Sequence, residues 1–227
     1  MEWKAYIEPN KEIIKRISGL TNSSTEDEWK DVLEEISLFR QYVCNYKESS
    51  ESPFPDKRWT LQHHAAFHRA PKNIVEAMKK KHFALSFTDS NGKLPKDHVP
   101  AEAEDQYRDL FTPKYDMAHL DFQKLAKIEK NFHEVILSRA EKLVKEHNLV
   151  LPLLTVILEQ RELSGEEKVW CAIPGMYGGF SIELFLNEEG SNVEHLETRS
   201  WCRVVGGSGQ SHKCTADKWE LIDEGFV

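Results

Sequence analysis

Apolar positions recur every three or four residues through the first two thirds of the chain and every two residues in the last third. Ile13, Ile14, Ile17 and Leu20 predict a short amphipathic helix over residues 10–20. The polar run Leu20–Thr25 is a loop. Thr25 is followed three places later by Glu28, a capping-box spacing that opens the next helix. Trp29, Val32, Leu33, Ile36, Phe39 and Val43 form one face of that helix to about residue 46, and residues 47–58 are a Ser- and Pro-rich connection. A modest helical pattern covers 101–111. A strong one covers 117–147, with Leu120, Leu125, Ile128, Phe132, Val135, Ile136, Leu143 and Val144 on its stripe. That span exceeds a typical globular helix, so a break within it is expected.

After Pro152 the period changes. Leu153–Glu159 is rich in apolar and β-branched residues and is the first strand candidate, closed by a turn at Ser164-Gly165. Lys168–Ile173 is the second. Phe180, Ile182, Leu184 and Leu186 alternate with Ser181, Glu183 and Phe185, the period of a strand with one buried face. A turn at Glu188–Asn192 precedes a longer strand over Val193–Val205. Residues 211–214 and 218–222 add two short ones. Successive strands joined by short polar turns favour an antiparallel sheet. Helices followed by strands give an α+β protein, divided into residues 1–148 and 149–227.

The length of 227 residues allows one large domain or two small ones. The 40% hydrophobic and 30% charged residues are ordinary for a globular protein and argue against wholesale disorder. The net charge of −8 argues against nucleic acid unless cations gather in a patch. The densest cationic run, Lys79-Lys80-Lys81-His82, falls at an expected helix end, where it complements the helix dipole without a partner. No stretch approaches the ~20 apolar residues of a membrane span. The N-terminus leads into a charged amphipathic segment rather than a secretion signal. Cys44, Cys171, Cys202 and Cys214 are dispersed and form no CxxC pair, so reduced thiols in a cytoplasmic setting are expected.

Trp59-Thr60-Leu61-Gln62-His63-His64-Ala65-Ala66 carries a more specific signal. It resembles the opening of an ankyrin repeat, Thr-Pro-Leu-His-x-Ala-Ala. Thr60, His63, Ala65 and Ala66 fit, while Leu61 and Gln62 depart from it. Ile74–Met78 resembles the second helix of such a repeat, and Asp89–Lys93 the turn before the next. Leu94-Pro95-Lys96-Asp97 is a worn second opening, 34 positions after Thr60 and close to the ~33-residue period. Small Ala65 and Ala66 allow close helix approach, and Asn91-Gly92 supplies positive-φ geometry. The resemblance implies a structural histidine at His63, tying backbone groups of neighbouring repeats. It also implies a short, degenerate helical array with the flanking helices as caps, binding another protein through its surface. His64 and His68 share metal-pair spacing, but no third ligand follows.

Two glycine-rich strings stand out nearer the C-terminus. They run Ile173–Phe180, with Tyr177, Gly178 and Gly179, and Ser200–His212, with Trp201, Cys202, Arg203, Gly206, Gly207, Ser208, Gly209, Gln210 and His212. Together they resemble the C-terminal β module of uncharacterised, mostly bacterial ankyrin-repeat-containing proteins, which implies organisation and no particular activity. Neither string is a Walker loop or a GxGxxG fingerprint, and no GxSxG elbow occurs. Consecutive loop amides can form an anion nest. Arg203, Gln210 and His212 would add donors, and Tyr177 and Trp201 flat apolar walls. His212 is the one candidate general acid or base. The alternative is a pair of tight turns shaping a sheet. A zinc shared by His195, Cys202, His212 and Cys214 matches no standard spacing, and a Cys202–His212 nucleophilic pair has no supporting signature. No metal or cofactor is therefore expected. Three functions remain open: a protein-interaction module, a small enzyme or sensor of an anionic ligand, and a partner acting by occlusion.

Overall fold

The computed structural model describes residues 2–4, 11–37, 59–81, 83–89, 91–113, 117–147, 149–202 and 207–225. The protein is α+β. It divides into two compact units, Ile7–Lys114 and Met1–Tyr6 with Tyr115–Val227. The change of hydrophobic period puts a division at 148/149. The structure groups the long helix after residue 121 with the strands.

The first unit is helical. Helices α1 (Lys11–Gly19) and α2 (Glu26–Ser37) are joined by the expected loop. Thr25 and Glu28 close the capping box reciprocally. Thr25 N donates to Glu28 Oε2 at 2.6 Å, and Glu28 N to Thr25 Oγ1 at 3.3 Å. The expected continuation of α2 to residue 46 falls outside the described residues. Helices α3 (Leu61–Phe67) and α4 (Lys72–Lys80) follow. Ala65 and Ala66 are fully buried in a core that includes Ile17, Trp29, Leu33, Ile74, Met78 and Phe111. Between α3 and α4 the chain turns through Arg69 at φ 54°. Ala70 N donates to Ala65 O at 2.9 Å and Arg69 N to Ala66 O at 3.4 Å, a Schellman closure with arginine where glycine is usual.

The loop after α4 closes on Asp89. Its carboxylate accepts from Asn91 N (2.7 Å) and Lys93 N (3.0 Å), and Gly92 takes φ 75°. Leu94 N then donates to Asp97 Oδ2 at 2.9 Å, opening a 3-10 turn over Pro95–His98. The expected helix over 101–111 is broken. A 3-10 turn at Ala101–Ala103, the short α5 (Glu104–Tyr107) and a 3-10 turn at Asp109–Phe111 replace it. Of its few apolar positions, Ala103 and Phe111 are buried, and Tyr107 and Leu110 pack partly buried against the core.

The second unit is a six-stranded sheet in chain order, with two helices. Strands β2 (Lys168–Ile173), β3 (Gly178–Leu186), β4 (Val193–Cys202), β5 (Ser208–Cys214) and β6 (Trp219–Gly225) form an antiparallel meander. Strand β1 (Glu2–Lys4), which no sequence pattern announced, pairs parallel to β2, and Trp3 Nε1 donates to Val150 O at 3.1 Å.

Helix α6 (Phe122–Glu146) packs along the sheet through Leu125, Ile128, Phe132, Val135 and Ile136. Its break is at Ala140, with φ −140° and ψ 21°. The first strand candidate, Leu153–Glu159, is instead the start of helix α7 (Leu154–Ser164). Leu154, Val156, Ile157, Leu158, Glu159 and Gln160 are all buried, so the segment has no polar face to reveal its period. Glu129 Oε2 accepts from Leu154 N at 2.7 Å at the start of the helix, and Gly165 at φ 70° ends it. No helix among the described residues is long and apolar enough to cross a membrane.

Candidate functional site

Strand pairing brings the two glycine-rich strings to one end of the sheet. Gly178, Cys202 and Ser208 lie side by side on β3, β4 and β5. Close backbone approach accounts for two of the glycines. A Cβ on Gly178 would lie 2.0 Å from Trp201 O. One on Gly179 would lie 2.2 Å from Cys171 O and 2.9 Å from the Trp170 ring. Those two positions are therefore required by the sheet itself.

The remaining candidates separate by face. Tyr177 stands in the β2–β3 turn at φ 50° and is 76% exposed. Trp201 points to the face away from α6 and stacks on Trp170, with ring centroids 4.4 Å apart and 24° between planes. Gly209 pairs with Trp201 on one side and Gly225 on the other. Gly207, at φ 38°, leads into β5. Arg203 and Gly206 fall outside the described residues. Ser208, Gln210 and His212 are the candidates that come together, on the face toward α6. Tyr177 and Trp201 do not join them.

Three residues without a sequence assignment complete this group. Arg139 of α6 reaches down to β5, where Nη1 donates to Gln210 Oε1 and Nη2 to Ser208 Oγ at 3.1 Å. Ser200, opposite Gln210 on β4, donates from Oγ to Gln210 O at 3.2 Å. Thr198 lies opposite His212. The His212 ring meets Trp219 of β6 edge-on, at 5.5 Å between centroids. Burial, and then the Arg139 charge, lower the His212 pKa, so the imidazole is neutral at physiological pH. Burial also lowers the pKa of Arg139, which remains charged all the same. The sequence signal for Arg139 was its position. It follows Ile136 by three and precedes Leu143 by four, which sets a cation on the apolar stripe of its helix.

The other chemical candidates separate in space. Cys202 belongs to the Ser208 rung and donates to Met176 O at 3.0 Å. His212 sits two same-face rungs away, roughly 13 Å along the strand, so the two do not form a nucleophile–base pair. His195 is on the opposite face, stacked on Phe185 at 4.5 Å. Burial pushes the Cys171 and Cys214 thiols up to about 12, which leaves them unreactive. Among the described residues no three His, Cys, Asp or Glu side chains are placed to hold a metal ion.

In the helical unit, His63 bridges two backbone segments. Thr60 N donates to Nδ1 at 3.1 Å, so Nδ1 is an acceptor and Nε2–H donates to Lys93 O at 3.2 Å. Burial holds His63 down to about 4 and His64 to about 3. Both are therefore neutral core residues. Trp59 packs against His63, His64 and His98, and His98 Nε2 meets Asp89 Oδ2 at 3.0 Å.

Compared with known protein families, with curated proteins and with solved structures, the chain matches none of them.

Proposed function

We propose that the protein is a protein-binding module with no defined catalytic activity, whose helical unit is a short ankyrin-like array that presents a surface to another protein. One observation carries the reading. The same local device occurs twice, 34 positions apart. The N–H of Thr60 is held by the side chain of His63, and the N–H of Leu94 by that of Asp97. His63 Nε2 reaches from the first to Lys93, next to the second. A repeat unit tied to its successor in this way is rigid, and a rigid scaffold loses little entropy on binding. We take the compartment to be the cytoplasm, a choice supported by the free thiols of Cys171, Cys202 and Cys214.

The test is quantitative affinity capture with the full chain, in three versions. One is unaltered. One carries Phe67→Asp and Lys80→Glu on the exposed side of the helical unit. One carries Tyr177→Asp on the sheet. The reading expects a stoichiometric protein partner that is lost in the second version and kept in the third. No such partner, or one indifferent to the helical substitutions, would refute it.

A second reading, a small anionic ligand at the glycine-rich end of the sheet, is favoured by the Arg139 cluster. There a partly buried guanidinium meets only neutral acceptors.

A further inference from the structure

Arg139 Nε, Thr198 Oγ1 and His212 Nδ1 are buried and make no hydrogen bond. They belong to one cluster on one face of α6, β4 and β5. A buried polar atom without a partner costs about 1–3 kcal/mol. Folded proteins rarely place such atoms together unless something else satisfies them.

The charge balance points the same way. Arg139 donates to the amide oxygen of Gln210, the carbonyl of Ser208 and the hydroxyl of Ser208, none of which carries charge. Glu224 stands across from Gln210 on β6, but it is exposed and makes no ion pair with Arg139. Among the described residues no carboxylate lies within ion-pair distance of the guanidinium. The Gln210 amide oxygen thus occupies an acceptor position that a carboxylate oxygen would fill with compensating charge.

We propose that this cluster binds a small carboxylate carrying a hydroxyl or carbonyl oxygen a few atoms away. The carboxylate replaces Gln210 on Arg139, and the second oxygen lies between Thr198 Oγ1 and His212 Nδ1. This inference rests on the second reading above and supplies both its ligand class and its cation, Arg139. Three considerations select the class. The cluster offers one positive charge and otherwise neutral groups, which matches a monoanion better than a phosphate dianion. Successive same-face positions on a strand lie about 7 Å apart, so the Gln210 and His212 positions are spanned by a short carbon chain. The outer part of the cluster is open, since Ser208 is exposed and Arg139 and Gln210 are half-buried.

The experiment titrates the full chain with sodium 3-hydroxybutyrate, sodium butyrate and inorganic phosphate at matched ionic strength. Thermal unfolding and the NMR signal of the Arg139 Nε–H are followed. The expected result is a saturable shift of that signal and a raised Tm with 3-hydroxybutyrate. Butyrate should bind about tenfold or more weakly, because it leaves Thr198 and His212 unsatisfied. Gln210→Glu supplies the carboxylate internally, so it should raise the Tm without ligand and abolish the response. Equal binding of butyrate, or a Gln210→Glu protein that binds 3-hydroxybutyrate as before, would overturn the assignment. A response to phosphate alone on the same signal would overturn the carboxylate class while leaving a ligand site at this end of the sheet. No movement of the Arg139 signal with any of the three would end both readings. That last measurement needs no variant to fold.

Discussion

Acidification to pH 5 is expected to loosen the helical unit chiefly through His63 and His64, with His68 adding in the same direction. The first two are fully buried and neutral, with folded pKa values near 4 and 3 against an ordinary 6.5. In the unfolded chain they take up protons as the pH falls through 6.5. In the folded protein they resist until the pH reaches their depressed values. The unfolded state therefore binds more protons throughout this window, and stability falls with pH. At pH 5 the unfolded imidazoles are 1.5 pH units below their midpoint, and one unit corresponds to about 1.4 kcal/mol. Each histidine then costs about 2 kcal/mol relative to pH 8, and the pair about 4 kcal/mol. Since both folded values lie well below 5, the sum depends little on where they fall. Against a typical domain stability of about 5–15 kcal/mol, the loss is large. Asp89 does not contribute in this window. Burial pushes its pKa up, but the hydrogen bonds from Lys93 and Asn91 together with the neighbouring His98 outweigh that and hold the carboxylate below its ordinary range, so it titrates only at lower pH. Native-state hydrogen exchange of the α3 and α4 amides at pH 8 and pH 5, corrected for intrinsic rates, measures the change. His64→Leu should remove about half of the pH-dependent part. A wild-type loss under about 1 kcal/mol, or an imidazole of His64 that titrates near 6.5 by NMR, would refute the reasoning.

Three further outcomes test the packing. Ala65→Leu forces three additional side-chain heavy atoms, Cγ, Cδ1 and Cδ2, into a fully buried site and should cost about 1–3 kcal/mol in urea unfolding; a neutral result would mean that α3 is not tightly packed. Arg69→Gly relieves a left-handed φ of 54° at the α3 C-terminus and should stabilise by up to about 1 kcal/mol, read as a raised urea midpoint at unchanged slope. Gly179→Ala places a Cβ 2.2 Å from Cys171 O, so strands β2 and β3 must separate locally. Circular dichroism and thermal unfolding should show a Tm reduced by several degrees, and an unchanged Tm would contradict the register between these strands.

What the sequence determined was local. The Thr25–Glu28 box, the left-handed turn at Gly92 and strands β2 to β6 follow from spacing, because capping, positive φ and period-two alternation act between near neighbours. Tertiary structure decided the rest. Leu153–Glu159 is helix rather than strand because it is buried on nearly every side, and a segment without a polar face has no readable period. The N-terminal strand exists only because β2 offers it an edge. Strand parity sends Trp201 to one face and Gln210 and His212 to the other, a separation that a list of polar and aromatic residues does not contain. Arg139 enters the cluster from 71 residues before Gln210. A charge on an apolar stripe can be seen in one dimension, but the groups that meet it are chosen by the packing of the helix on the sheet.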